Sequence, residues 1–99
     1  MPKYDVYENP DGAGLLLNVQ ADFLETLNTR LVVPLLPQSK APLPAKRLNP
    51  LFEIDGDNYV MVTQFLAAIP KSLLKKHIGN IKEQFSEIND ALDLLITGF

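Results

Sequence analysis

The chain has 99 residues, 46% of them hydrophobic and 21% charged, which suits a single folded domain with one modest core and excludes a disordered chain. It contains no cysteine, which excludes disulfides and thiolate zinc sites. Its formal net charge of −3 provides no field that would gather nucleic acid, so protein partners are favoured.

The N-terminal part of the chain predicts three strands. Residues 4–7 alternate in polarity, residues 9–14 contain the asparagine, proline, aspartate and glycines of a turn, and residues 15–19 predict the returning strand. Residues 30–36 predict a third strand. Within it, Pro34 indicates an edge position or a bulge, because proline cannot donate to a sheet ladder.

The middle of the chain combines a proline-rich stretch with a hairpin. Residues 37–50 contain four prolines, which exclude a long helix or a central strand and indicate an ordered excursion with room for one short strand. Residues 51–54 and 59–62 then flank the four residues Asp55-Gly56-Asp57-Asn58, which begin with an Asp-Gly pair. Asp-Gly favours the positive φ angles of a tight turn, so this segment predicts a β-hairpin.

The last third changes from strands to a helix. Pro70 is predicted to close the strand region, and the following pattern is amphipathic with helical spacing. Gly79 and Asn80 are predicted to start the helix and Gly98 to stop it. The predicted inner stripe consists of Ile81, Phe85, Ile88, Leu92, Leu95 and Phe99.

Several strands followed by one helix predict a mostly β, α+β domain that spans residues 1–99, with an antiparallel sheet curled into a small barrel. So short a chain has little interior for its apolar side chains, which favours an exposed apolar face and therefore a homodimer. Its apolar runs are far shorter than the roughly 20 residues that cross a bilayer, so no membrane contact is expected. The absence of cysteine and of a signal-peptide pattern favours a cytoplasmic location.

No residue pattern indicates catalysis. His77 is the single histidine, has no second metal ligand in sequence, and is interpreted as a solvated loop or helix-end residue. Ser39 and Ser72 lack the context of an activated nucleophile, and residues 55–58 do not continue into a calcium loop. A weak phosphate-binding surface is conceivable, but solubilising side chains are favoured, at Lys40, Lys46, Arg47, Lys71, Lys75 and Lys76. The residues therefore favour a binding protein over an enzyme.

Six segments, taken in order, resemble the CcdB toxin family. The first runs through an apolar strand into Val19-Gln20-x-Asp22 and two further apolar residues, and the second is the strand Arg30-x-Val32-x-Pro34-Leu35. The other four are residues 49–57, 61–63, 67–70 and 87–92. Each segment is weak by itself, but their order and spacing together are specific and cover nearly the whole chain.

The resemblance implies a small SH3-like antiparallel β-barrel with a C-terminal α-helix, similar to CcdB, MazF and Kid, that forms a homodimer. It implies a toxin of a type II toxin–antitoxin system that is not an enzyme and uses no cofactor. Members of the family wedge into the A subunit of DNA gyrase and trap the gyrase–DNA cleavage complex. A CcdA-like antitoxin neutralises them by folding a disordered segment onto the toxin. Direct nucleic-acid contact is expected only within that antitoxin complex, in transcriptional repression.

The resemblance also implies a binding site. The family's gyrase contact centres on a Trp-Gly-Ile sequence after the final helix, where this chain has Thr97, Gly98 and Phe99. Positions that flank the contact in the family correspond here to Asp93, Ile96, Phe23 and Leu24. Two structural alternatives are open: Ile96 and Phe99 complete the buried stripe of the helix, and Phe23 and Leu24 plug the end of the barrel.

Two rival functions remain. One is a homologue that keeps the fold but has lost or altered gyrase activity, because threonine stands where the family has tryptophan. The other is a MazF-like endoribonuclease on the same barrel. Such an enzyme needs a cationic cleft with an acid and a base, and Arg30 and Arg47 are the only arginines in the chain, so it ranks last.

Overall fold

The computed structural model describes residues 1–98 of the chain. Within them it contains seven strands: β1 (Asp5–Glu8), β2 (Leu15–Asn18), β3 (Thr29–Pro37), β4 (Leu51–Ile54), β5 (Asp57–Met61), β6 (Ala67–Pro70) and β7 (His77–Asn80). One α-helix follows, α1 (Phe85–Thr97). Short 3₁₀ turns lie at Asp22–Leu24, Gln38–Lys40, Thr63–Phe65, Lys71–Leu73 and Lys82–Gln84.

The seven strands form one antiparallel sheet in the order β4-β5-β3-β2-β1-β7, with β6 also paired to β3. On one side β3 pairs with β2, while on the other its first half pairs with β6 and its second half with β5. Because β5 and β6 pair with different halves of the same long strand, β3, the sheet curls into a half-barrel. The predicted mostly β fold, an SH3-like antiparallel barrel with a C-terminal helix, is confirmed.

Pro34 lies in the central strand β3, so the predicted edge position or bulge is wrong. Its carbonyl accepts a hydrogen bond from the N–H of Val62 at 2.9 Å, on the side of β3 that faces β5 and β6. A residue's N–H and C=O point to the same side of a strand, so the missing donor of Pro34 falls on that side too. There β6 pairs only up to Val32 and β5 only from Leu35. Proline therefore occupies the gap between two partners.

The predicted hairpin is confirmed, with Leu51 paired to Val60 and Ile54 to Asp57. Asp55 has a φ of 53° and Gly56 a φ of 85°, the two positive values that a two-residue type I′ turn requires.

The proline-rich stretch is ordered, as predicted. Two buried polar side chains, Asn49 and Thr63, hold it in place. Asn49 accepts a hydrogen bond from the N–H of Ala45 and donates one to the carbonyl of Met61. Thr63 donates to the carbonyl of Leu48 at 2.5 Å. Between Pro37 and Pro50 the described chain holds a 3₁₀ turn and no strand.

The start of the helix differs from the prediction. Strands continue past Pro70 as β7, so Gly79 and Asn80 belong to a strand that pairs with β1. The helix begins only at Phe85, after a 3₁₀ turn whose first residue, Lys82, donates its N–H to the Asn80 side chain. Gly98, with a φ of 81°, ends the helix as predicted.

The core lies between the inner face of the sheet and the middle of α1. Its buried members are Val6, Leu15, Leu17, Val19, Val33, Leu35, Phe52, Ile54, Met61, Ile88 and Ala91, with Ile81 and Leu92 packed against them. Phe85 and Leu95, which were predicted to be buried, are exposed. The 13-residue helix is about 20 Å long, whereas Ile88 to Leu92 spans only about 6 Å of it, so Phe85 and Leu95 lie outside the part that packs in the core. No helix among residues 1–98 has the length and apolarity of a membrane span.

Candidate functional site

The C-terminal end of α1 is closed by three hydrogen bonds to its own carbonyls. The N–H of Gly98 donates to Asp93 at 3.2 Å and to Leu94 at 3.1 Å. The Oγ1 of Thr97 donates to the carbonyl of Asp93 at 2.6 Å. The hydroxyl of Thr97 is thus turned back onto the helix, which is a common arrangement for threonine near a helix end. The end of the helix is therefore well defined up to Gly98.

This helix end is exposed and partly apolar. Ile96 is 69% exposed, and Leu95 beside it is exposed as well. The alternative in which Ile96 completes the buried stripe is therefore wrong. Asp93 and Thr97 are also exposed and, four residues apart, occupy the same side of the helix. Phe99 lies outside the described residues, and with it the predictions that it belongs to the site or to the stripe.

A second exposed apolar group lies in the loop between β2 and β3. Phe23 is 83% exposed, so the alternative in which it plugs the barrel is wrong. Leu24, in the same 3₁₀ turn, is 37% exposed. Leu27, which was not predicted as a site residue, is 47% exposed in the same loop. Its signal in the sequence was an apolar residue between polar neighbours, Thr26 and Asn28, in the segment that joins two predicted strands.

Within one chain the two groups lie near opposite ends of α1. Asp22, next to Phe23, accepts a hydrogen bond from the backbone N–H of Lys3 at 2.6 Å. The carbonyl of the same lysine accepts one from Asn80, five residues before the helix begins. The loop is therefore near the 3₁₀ turn that precedes the helix, whereas Thr97 is the last residue of the helix, about 18 Å along the axis from its first residue.

His77 lies in strand β7, not in a loop or at a helix end as predicted. Its Nε2 is 3.3 Å from Oδ1 of the buried Asp5, and its ring meets that of Tyr7 edge to face at 5.4 Å. Burial and the neighbouring Asp5 carboxylate raise the pKa of the Tyr7 hydroxyl. Among residues 1–98 no three histidine or acidic side chains cluster in a way that could hold a metal ion.

Both arginine side chains form hydrogen bonds within the protein. Arg30 is 3% exposed, and its guanidinium donates to the carbonyls of Glu25, Leu27 and Thr29. Arg47 makes a two-pronged ion pair with Asp90 of α1, at 3.0 and 3.1 Å. The Arg30 guanidinium is thus used by backbone carbonyls, and the half-exposed Arg47 guanidinium shares its surface recess with the carboxylate of Asp90.

Comparison with known protein families matches residues 3–98 of the chain to the family described as CcdB protein. The matched region includes all seven strands, the helix, the loop that carries Phe23 and the helix end at Thr97 and Gly98.

Proposed function

Because this chain belongs to the CcdB family and is thus a toxin of a toxin–antitoxin system, we propose that it binds the A subunit of DNA gyrase and traps the gyrase–DNA cleavage complex. In this proposal a CcdA-like antitoxin neutralises it and joins it in repressing transcription. The toxin acts in the cytoplasm, where gyrase works, without a cofactor and without enzymatic activity of its own.

The exposed apolar end of α1 carries the proposal. Ile96 is 69% exposed at the end of a helix whose last turn is closed by bonds from Thr97 and Gly98. A defined backbone that presents an isoleucine to solvent suits a protein contact, because little conformational freedom is lost on binding. Phe23 and Leu24 supply a second apolar contact from the loop.

Assembly as a homodimer suits this arrangement. Large exposed hydrophobic side chains occur in several parts of the chain, at Phe23, Leu24, Leu27, Leu43, Leu51, Phe65, Leu73, Phe85, Leu95 and Ile96. So much exposed apolar surface on a small domain favours self-association. A two-fold toxin would also match a two-fold gyrase surface.

Threonine at position 97 supports a second candidate, a family member with weakened or altered gyrase activity. The corresponding tryptophan of the family would be a large aromatic anchor, and such anchors commonly contribute about 2 kcal/mol or more, or roughly thirtyfold in affinity. The hydroxyl of Thr97 is already bonded to Asp93, so it offers little to a partner. We therefore expect gyrase binding that is weaker than a tryptophan tip would give.

A ribonuclease function receives little support. Phosphate-ester cleavage needs cations at the scissile phosphate, and both guanidiniums are bonded to the protein itself, Arg30 to carbonyls and Arg47 to Asp90.

Inducible expression in a gyrase-sensitive bacterium tests the proposal. We expect growth arrest that a gyrase A mutation conferring resistance to CcdB relieves. Arrest that persists in the resistant strain together with rapid mRNA cleavage would favour the ribonuclease. High expression of folded protein without arrest would contradict both toxic functions.

A further inference from the structure

The loop between β2 and β3 exposes several apolar side chains to solvent. A loop that is held only by its two ends would not be expected to keep such side chains in one conformation. We call residues 21–28 the contact loop. All of residues 22–28 are exposed, including Phe23, Leu24 and Leu27. None of these three side chains is part of a buried cluster that could fix the loop, so its conformation must depend on other contacts.

Arg30 provides the first of these contacts. Its side chain lies under the contact loop and is 3% exposed. Nη1 donates to the carbonyl of Leu27 at 2.7 Å and to that of Thr29 at 2.7 Å, and Nη2 donates to that of Glu25 at 2.8 Å. The rigid fork of a guanidinium can reach both arms of a turn at once, and bonds from a charged donor are stronger than neutral ones.

Gln20 provides the second contact, from the other end of the loop. Its Nε2 donates to the carbonyl of Leu24 at 3.1 Å, while its Oε1 accepts from the N–H of Leu31 at 3.1 Å. The amide therefore links the 3₁₀ turn of the loop to the strand that follows the loop. Both of its polar atoms are used, which fixes the orientation of the side chain.

Both side chains hold the loop by its backbone. Three carbonyls of the contact loop are bonded, those of Leu24, Glu25 and Leu27, together with that of Thr29 at the start of β3, and no apolar side chain of the loop is needed to make these bonds. Phe23, Leu24 and Leu27 are consequently left free to meet a partner. This is the arrangement expected of a binding element that is ordered before its partner arrives, since ordering it on binding would cost affinity.

We propose that Gln20 and Arg30 are positioning residues that pre-order the contact loop for the toxin's target, and that Leu27 joins Phe23 and Leu24 in the contact. This inference rests on the proposed function, in which the contact loop touches gyrase. Gln20 and Arg30 themselves do not meet the target. They act by holding the loop carbonyls, and so determine where the three apolar side chains project.

Gln20→Glu is the sharpest test, because the carboxylate keeps an acceptor for the N–H of Leu31 and removes the donor to Leu24. Arg30→Lys is the second variant, because a single ammonium keeps the charge but cannot span the three carbonyls. Gln38→Glu, at an exposed position outside the loop, adds the same charge as a matched control. Affinity for the purified gyrase A subunit and the thermal midpoint are measured for each variant, alone and combined with Phe23→Ser.

We expect Gln20→Glu and Arg30→Lys to weaken gyrase binding about tenfold or more, while Gln38→Glu binds like the parent chain. Combined with Phe23→Ser, Gln20→Glu is expected to lose part of its effect, because it acts partly through the position of that side chain. A merely stabilising role would instead lower the thermal midpoint and add its effect to that of Phe23→Ser.

Binding by Gln20→Glu that equals the parent's, or effects that add fully in the double variant, would overturn the inference while leaving the proposed function intact. A parent chain that arrests growth but does not bind gyrase A would overturn the proposed function. The same variants are then compared by growth arrest: if the two positioning variants and Phe23→Ser all arrest growth like the parent, the positioning role fails. Absence of arrest by the parent chain would overturn both.

Discussion

In the proposed function, Thr97 stands where the CcdB family has the tryptophan of its gyrase contact. Its side chain is exposed, and its hydroxyl is bonded to the carbonyl of Asp93. Thr97→Trp should therefore place an aromatic side chain at the helix end without displacing any core residue. We expect it to tighten binding to the gyrase A subunit by about tenfold or more, as measured by calorimetry. Unchanged affinity would mean that position 97 does not contact gyrase.

Ile96 provides the complementary loss-of-function prediction. Ile96→Ser removes an exposed side chain, so the thermal midpoint should stay within about 2 °C of the parent's. Growth arrest should weaken or disappear, because the apolar contact is lost. Leu43→Ser is a matched control, since Leu43 is 94% exposed and lies in the proline-rich stretch, outside α1. Equal toxicity of the two variants would contradict the role of Ile96.

At single positions, the sequence predicted a residue's conformation or burial where this depends on the residue itself. It did not predict them where they depend on contacts with residues that are distant in the chain. Gly98 was recognisable as a helix stop because only its own φ matters. Pro34 was misplaced because its tolerance depends on a gap between β5 and β6, two strands that follow it by more than twenty residues. The exposure of Ile96 likewise depends on which turns of the helix pack on the core, which helical spacing alone does not reveal.

The end of α1 is the element most closely tied to the proposed function, and Gly98 holds it. Gly98→Ala should cost about 1 kcal/mol, because alanine is strained at a φ of 81° although no atom lies near enough to obstruct its methyl group. For a domain of this size the thermal midpoint should fall by about 5 °C. Gly12→Ala, which also has open space but no positive φ, should leave it nearly unchanged. Equal midpoints for the two variants would contradict the strained cap.

The ion pair between Arg47 and Asp90 attaches the proline-rich stretch to α1. Hydrogen bonding from Arg47 lowers the pKa of the Asp90 carboxyl below its ordinary value of 3.8. A carboxyl whose pKa is depressed by folding stabilises the folded state above its unfolded pKa, and this contribution is lost as the pH falls through the folded value.

Asp90→Asn should therefore lower the thermal midpoint slightly at about pH 6, and the difference from the parent should be smaller at about pH 3, below the ordinary carboxyl value of 3.8. Thermal unfolding at the two pH values measures this. A difference of the same size at both would show that the charge of Asp90 is not responsible.

Elements with a strong local signal were predicted from the sequence, whereas those defined by pairing were not. The β4–β5 hairpin followed from Asp-Gly between two apolar runs. Strand β7 was missed because His77 to Asn80 has neither alternation nor β-branched residues apart from Ile78, and it forms only by pairing with β1. The predicted helix consequently began too early, since its amphipathic spacing continues back through Ile81 into the 3₁₀ turn.

At the scale of the whole molecule, the fold was predictable because the order of strands and helix leaves few alternatives, and the family match over residues 3–98 agrees with it. The arrangement of the binding surfaces was not. The prediction that Phe23 and Thr97 belong to one site came from the family resemblance alone. In a single chain the two residues lie near opposite ends of α1. A two-fold dimer would present both groups twice, and gyrase is itself two-fold.

The measurement that tests the central claim most directly is calorimetric titration of the purified chain into the purified gyrase A subunit. The account predicts saturable binding with a Kd below about 0.1 mM that Ile96→Ser weakens and Leu43→Ser does not. Absence of binding by folded toxin at that concentration, or equal binding by Ile96→Ser, would contradict it.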